Sequence, residues 1–423
     1  MNHIKPSSWN RLDNAAKIFP PTTDKRDTKV FRFSCELYEP VDPAFLQEAL
    51  DTTMEEFPFF QSILRGGLFW YYLESSDIKP VVKLENNPPC STIYDRNVKG
   101  LLFEVTYYRN RISFEIYHAL TDGTGALQFL RTLVFHYILI RYAIDFKDHI
   151  PVFDYDASMA QRTDDSFLKY YSKGKKQDKK KKHFAHRIKG LKVSENRIKV
   201  IEGVVSVKSM LDEAHKYHAT LTAFLAAVLM CSIGEEMTQG EKERPVVLSI
   251  PVNLRNYFSS ETARNFFGVV DIDYDFKKNS SELKNVIQYL CEYFDRELTT
   301  ERLGARMNSL AALEHNIFAR VTPLVVKDII LKWAYDFSAS ETTASLSNVG
   351  KVSMPAEFAP YIRLFDVFVS TKKVQICMCS YGDNLTISFT TPFVNAEIQK
   401  HFFRTLTKMG IAVQIAANKI DDE

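Results

Sequence analysis

Along the chain, apolar positions switch repeatedly between the period of two expected of strands and the three-to-four spacing of helices. Lys29 to Leu37 reads as a strand. Phe45, Leu46, Ala49, Leu50 and Met54 then recur at helical spacing over Asp42 to Glu56, with Asp42 as cap and Pro43 in the first turn. Gly67 to Leu73, Val81 to Leu84, Leu101 to Tyr108 and Arg111 to Tyr117 read as strands, the last two joined by a tight turn at Arg109 and Asn110. In the last of these, Ile112, Phe114 and Ile116 alternate with Ser113, Glu115 and Tyr117, so one face is predicted to be buried. A helix from about Gly125 to Tyr142 carries Leu127, Leu130, Val134, Tyr137 and Ile138 on one stripe.

The run SKGKKQDKKKK from Ser172 to Lys182 interrupts this pattern, because so many like charges cannot share a core. It divides the chain into an N-terminal half (1–171), a Lys-rich linker (172–183) and a C-terminal half (184–423). A solvated loop is the simple reading of the run; a cation patch for an anionic cofactor tail is the functional one. Beyond it the pattern predicts a strand at Val200 to Val207, a helix at Lys208 to Tyr217 and a strongly apolar core helix at Leu221 to Ile233. Strands at Val246 to Val252 and Val269 to Tyr274 precede helices over Ser281 to Leu298, Gly304 to Ala312 and Leu324 to Tyr335. A hairpin of Val374 to Ser380 and Leu385 to Thr390 and a last helix at Ala396 to Met409 complete the reading. Both halves are mixed α/β, without an internal sequence repeat.

At 423 residues the chain exceeds the usual size of one core, which agrees with two domains. Hydrophobic residues at 45% and charged residues at 25% are ordinary globular values, and the 13% aromatic share favours β content. A formal net charge of +2 gives no overall field toward nucleic acid or a membrane. The six cysteines are scattered without a disulfide framework or zinc-ligand spacing. Met1 to Pro20 lacks an apolar core, and no run reaches the roughly 20 apolar residues a bilayer requires. The expectation is a reduced, cytoplasmic protein without membrane insertion or nucleic-acid partner.

Between the strand ending at Tyr117 and the helix near Gly125 lies His118-Ala119-Leu120-Thr121-Asp122-Gly123, an H-x-x-x-D-G motif. A histidine at the end of a buried strand is held by the sheet, and the small residues after it let another molecule approach the backbone. That arrangement suits a fixed base. His215 and His218, three apart on a predicted helix, lack a third ligand and read as solvated, as do His183 and His186; no metal site is expected.

With this motif the chain resembles the chloramphenicol acetyltransferase-like superfamily, most of all its microbial alcohol acetyltransferase and condensation-like branch. Three further stretches in order carry the resemblance: Arg11-Leu12-Asp13; Pro251-Val252-Asn253-Leu254-Arg255 with Asn265-Phe266-Phe267-Gly268; and Ser347-Asn348-Val349-Gly350. The D-F-G-W-G motif of the BAHD plant acyltransferases is missing. The resemblance implies two similar α/β domains, mixed sheets flanked by helices, and a tunnel between them with His118 at its middle. It also implies that Arg255 meets Asp122 across the domain interface as a structural pair, beside Gly123.

A thioester is already activated, so the remaining obstacles are a protonated acceptor and the oxyanion of the tetrahedral intermediate. Neutral His118 answers the first as general base. Ser345, Ser347 and Asn348, in a short polar stretch between a helix and a strand, are candidate oxyanion donors. The expected reaction moves an acyl group, acetyl first, from acyl-CoA as co-substrate to a small hydroxyl or amine acceptor. No permanent cofactor is expected, and the residues that would hold CoA are not indicated. The alternatives are a free-standing condensation-like enzyme served by a carrier-protein thioester and a non-catalytic binding protein on the same fold.

Overall fold

The strand predicted from Lys29 forms, and all eight of its residues, Val30–Leu37, are buried because both faces of its sheet are covered. The computed structural model describes residues 9–13, 15–153, 184–260, 262, 264–314 and 322–419. The Lys-rich linker at 172–183 and the end of the N-terminal half lie outside them.

The N-terminal half carries β1 (Trp9–Arg11), α1 (Phe19–Thr22), β2 (Val30–Leu37), α2 (Pro43–Glu56), β3 (Ser62–Gly66) and β4 (Tyr71–Ser75). It continues with β5 (Lys83–Leu84), β6 (Phe103–Tyr108), β7 (Arg111–Tyr117) and α3 (Gly123–Arg141). The C-terminal half carries β8 (Lys199–Ser206), α4 (Val207–His215), α5 (Leu221–Glu236), β9 (Val246–Asn253), β10 (Phe267–Tyr274), α6 (Leu283–Glu297) and α7 (Thr300–Glu314). There follow α8 (Leu324–Ala339), β11 (Ala344–Lys351), β12 (Ile362–Val369), β13 (Val374–Tyr381), β14 (Asn384–Thr391), α9 (Glu397–Lys408) and β15 (Gln414–Ala417).

One sheet of five strands has the order β12-β2-β7-β6-β5, and one of seven has the order β10-β9-β11-β13-β14-β8-β15. Both are mixed: β5 runs parallel to β6, and β11 runs parallel to both β9 and β13. A three-stranded sheet, β1-β4-β3, sits apart. Strand β12 crosses the division drawn from the sequence. The chain leaves the seven-stranded sheet after β11, adds an antiparallel edge strand to β2 in the five-stranded sheet with Phe365 opposite Cys35, and returns as β13. The two sheets are thereby tied by backbone, which fixes their relative placement.

Ile112, Phe114 and Ile116 of β7 are buried as predicted, but Ser113, Glu115 and Tyr117 are buried too, so both faces of the strand are covered rather than one. Phe114 stacks on Phe129 of α3 with ring centroids 4.4 Å apart, and Phe129 stacks on Phe60 at 4.9 Å. Each such side chain taken from water contributes about 1.5–3 kcal/mol. In the second core α5 is buried on all sides, which explains its lack of a polar stripe. Gly203 of β8 has no room for a side chain, since a Cβ there would stand 2.2 Å from the Phe403 ring of α9.

Several local readings are corrected. The strand predicted at Gly67 to Leu73 is the turn and second arm of a hairpin formed by β3 and β4, closed by Gly67 N donating to Trp70 O at 2.9 Å. The polar stretch expected between a helix and a strand is strand β11 itself. Strands β1, β12 and β15 and helix α1 have no counterpart in the pattern. In β12 both faces are buried, so apolar and polar residues do not alternate.

Candidate active site

His118 directly follows β7, and its amide donates to Lys29 O at 2.9 Å, so the five-stranded sheet holds its backbone. Its ring, partly exposed, stacks on Phe19 of α1 at 4.4 Å and 21°, with Phe31 of β2 at 4.8 Å and Phe267 of β10 at 5.7 Å. Phe267 comes from the seven-stranded sheet, so the imidazole stands where the two halves meet.

A chain of contacts settles its tautomer. Asn265 Nδ2 donates to Asp13 Oδ2 at 3.1 Å and to His118 O at 3.3 Å. A carboxylate only accepts, so the amide NH2 must face Asp13 and the amide oxygen must face the ring. Asn265 Oδ1 lies 3.1 Å from His118 Nδ1, which therefore carries the proton, leaving the Nε2 lone pair free as acceptor. Asp13 is itself fixed: its Oδ1 accepts from Ala16 N at 2.7 Å and its Oδ2 from Asn265 N at 3.3 Å. Arg264 stands 3.9 Å away, and its guanidinium also donates to Arg11 O. The Arg11-Leu12-Asp13 and Asn265-Phe266-Phe267-Gly268 stretches thus meet behind the histidine. Asn265 and Asp13 were not among the site residues expected from the sequence. Their presence in two of the ordered stretches was the signal, but nothing in a linear pattern joins positions 252 residues apart.

Burial among aromatic rings pushes the His118 pKa below its usual value, with the nearby Lys29 ammonium acting in the same direction. The imidazole is neutral at pH 7. If it is the base, kcat/KM should be flat from neutral pH upward and fall as pH drops through a pKa below 6.5. A rate profile across acidic and neutral buffers measures this; an acid limb above the ordinary histidine range contradicts it.

Asp122 caps α3 and pairs across the halves at once. Oδ1 accepts from Thr124 N at 3.0 Å and Gly125 N at 3.1 Å, so the helix begins at Gly123 rather than Gly125. Oδ2 accepts from Arg255 Nη1 at 2.8 Å and from Phe266 N at 2.8 Å. The side chains are 10% and 5% exposed. The ion pair is a single contact through Nη1. The rest of the guanidinium goes to backbone, with Nη2 donating to Thr262 O at 2.8 Å and Arg264 O at 2.7 Å. Arg255 therefore anchors the loop that carries Asn265. Gly123 lies at the start of α3, where an added Cβ would make only ordinary contact with Phe33 at 3.9 Å. Internal packing does not require glycine there.

The three expected oxyanion donors separate onto two faces of β11. Ser345 and Ser347 share a partly exposed face of β11, and Ser347 lies opposite Cys377 of β13, which belongs to the first core. Asn348 points to the opposite side and is engaged by Thr222 Oγ1 at 2.9 Å and Gly350 N at 2.9 Å. No hydrogen bond among the described residues joins any of the three to the His118 loop. His215 and His218 are exposed, whereas His186 is buried, with its amide donating to Pro245 O at 2.8 Å, and so departs from the solvated reading.

Polyketide synthase associated protein 5 from Mycobacterium tuberculosis superposes with a TM-score of 0.61 and 13% identity, covering 96% of this chain and 99% of that one. TRI101 of F. sporotrichioides, solved with coenzyme A and T-2, gives 0.63 and 13%, covering 97% and 100%. The first condensation domain of the CDA synthetase gives 0.59 and 14%, covering 97% and 100%. The fold is therefore the two-domain one expected from the resemblance. A search of curated protein sequences returned no match. No helix among the described residues is long and apolar enough to cross a membrane. A model of the alcohol acetyltransferase family matches residues 159–380, more than half of the chain, and the protein belongs to that family of acyltransferases.

Proposed function

We propose that the protein transfers an acyl group, acetyl by preference, from acyl-CoA directly to a hydroxyl or amine of a small acceptor, with His118 as general base. The observation that carries this reading is the tautomer imposed on His118 by Asn265 and Asp13, which leaves Nε2 unprotonated. Nε2 takes the acceptor proton as the acceptor oxygen or nitrogen attacks the thioester carbonyl. The tetrahedral intermediate collapses with cleavage of the C–S bond, and the imidazolium returns the proton to the departing thiolate. No acyl-enzyme is required. Asp122 and Arg255 position the loop and move no proton.

Ser345 and Ser347 are the oxyanion donors that fit this reading, because their face of β11 turns toward the first core; the Asn348 amide is committed elsewhere. The halves 1–171 and 184–423 would enclose a tunnel at their junction, with β12 holding the two sheets together. The coenzyme A, T-2 and deoxynivalenol named for the TRI101 structures support a CoA thioester donor and a small-molecule acceptor by fold likeness.

Purified protein with acetyl-CoA and a pool of alcohols and amines should release free thiol in proportion to an acylated product seen by mass spectrometry. Thiol release only from an acyl-loaded carrier protein would move the enzyme to the condensation-like class, and release from neither donor would make it a binding protein. The tautomer argument has its own test. Asp13→Asn frees the Asn265 amide to turn its NH2 toward the ring and reverse the tautomer, and Asn265→Leu removes the constraint. Each should lower kcat on the order of tenfold or more, with KM little changed. Unchanged kcat in both variants would remove this relay from the mechanism.

A further inference from the structure

Ionisable side chains from both sheets meet around Arg111. Glu36 of β2, Arg111 of β7, and Arg363 and Asp366 of β12 come from the five-stranded sheet; Glu202 of β8 comes from the seven-stranded one. Arg111 Nη2 donates to Glu36 Oε2 at 2.6 Å, Nη1 and Nη2 each donate to one Glu202 oxygen at 3.3 Å, and Nη1 stands 2.8 Å from Asp366 Oδ2. Arg363 also donates to Glu36 and turns its other nitrogen to Gln414 of β15 at 3.2 Å. Although burial opposes it, the hydrogen bonds from Arg111 and Arg363 keep the Glu36 carboxyl below its usual value, so Glu36 is ionised. One guanidinium is thus shared by three carboxylates, and the second serves only Glu36.

Three acids against two bases leave one negative charge too many, in a place hidden from water: the Glu202 and Asp366 side chains are 7% and 0% exposed. The approach of Arg111 to Asp366 is too bent for a hydrogen bond, so neither Asp366 oxygen has a donor. The remaining neighbours do not make up the deficit. Glu202 lies opposite Ser388 of β14 and Ala416 of β15, and the wholly buried Ser388 hydroxyl has no hydrogen-bond partner among the described residues. Burial pushes the thiols of Cys35 in β2 and Cys379 in β13 well up, with Asp366 acting in the same direction, so both stay neutral. A carboxylate left uncompensated in such surroundings takes up a proton instead.

We propose that Glu202 carries this proton and makes the cluster a pH-sensitive latch between the two sheets. With the proton in place, the two guanidinium groups balance Glu36 and Asp366; without it, the inter-sheet contact holds a net negative charge. Glu202 is the member that titrates because Arg111 stands closer to Asp366, at 2.8 Å against 3.3 Å. Burial pushes the Glu202 carboxyl up to about 7, and the Asp366 carboxylate adds to the rise while Arg111 opposes it. Folded Glu202 therefore binds its proton more tightly than the unfolded chain does. The stability it contributes is complete below the ordinary 4.5 and is lost as pH rises through about 7. Other ties between the sheets do not titrate: Thr386 Oγ1 and Asn384 Nδ2 of β14 donate to Phe365 O at 2.7 Å and Arg363 O at 2.9 Å in β12. Loss of the proton weakens the junction without parting it, so the turnover profile expected of His118 is unchanged. The latch does not rest on the acyltransferase reading.

The test uses the full chain and reads stability rather than turnover. Denaturant unfolding is measured for wild type, Glu202→Gln and Asp366→Asn from about pH 5 to about pH 8.5, a window that spans the Glu202 titration. Glutamine imitates the protonated carboxyl and has no proton to lose. Wild type should lose stability relative to Glu202→Gln as pH rises, the ratio of their unfolding constants changing on the order of a hundredfold across the window. In Asp366→Asn the two guanidinium groups balance Glu36 and an ionised Glu202, so most of that pH dependence should disappear; a merely structural loss would lower stability alike at every pH. A ratio of wild type to Glu202→Gln that stays level with pH, or a wild-type dependence that survives in Asp366→Asn, overturns the proposal. Difference infrared spectra of the wild type across the same window need no variant to fold. A carboxylic-acid carbonyl band that vanishes on the alkaline side is expected, and its absence also overturns the latch.

Discussion

His118→Ala should lower the acyl-transfer rate by about 10²–10⁴-fold, the usual contribution of a positioned general base, while the protein stays folded. The ring is partly exposed at the junction of the halves, and the β7 ladder and the Phe114–Phe129 stack do not depend on it. Removing it leaves a slot bounded by Phe19, Phe31 and Phe267 and by the amide oxygen of Asn265. Added imidazole should enter that slot and restore part of the rate, which a merely structural loss would not allow. Thiol release measured with and without imidazole, beside a melting curve, decides the matter. A variant with near wild-type turnover would remove His118 from the chemistry.

The second large effect is expected at Asp122 and Arg255. Each is nearly buried, and removing either strands the other's charge, a change that typically costs about 3–5 kcal/mol. Asp122→Asn keeps a side-chain oxygen for the α3 cap and loses the ion pair. Arg255→Leu additionally frees Thr262 O and Arg264 O, so the loop carrying Asn265 loosens and His118 loses its orientation. Arg255→Leu should therefore reduce activity further than Asp122→Asn at comparable stability. The double variant should be less destabilised than the sum of the two, because the pair is removed together. Denaturant unfolding of all four proteins closes the cycle; strictly additive losses would show that capping alone accounts for Asp122.

Much of this was legible in one dimension. The alternation in β7, the stripe of α3 and the all-apolar α5 are local patterns, and a local pattern determines local structure because period and burial are linked by backbone geometry. The strand–His118–loop–Asp122–helix arrangement followed from such patterns. In β12 apolar residues occupy both buried faces without alternating, so it went unread although it ties the sheets together. Ser345, Ser347 and Asn348 looked equivalent as neighbours in sequence; the pleat of β11 sends the two serines one way and the asparagine the other. The Asp13–Asn265–His118 relay and the single-contact geometry of Arg255 lay beyond sequence reading for a common reason. An amide's orientation and an ion pair's second partner are set by which groups stand opposite. The sequence by itself determined the elements and the candidate base; only tertiary packing decided which nitrogen of that base is free, because packing alone brings Asp13 to Asn265.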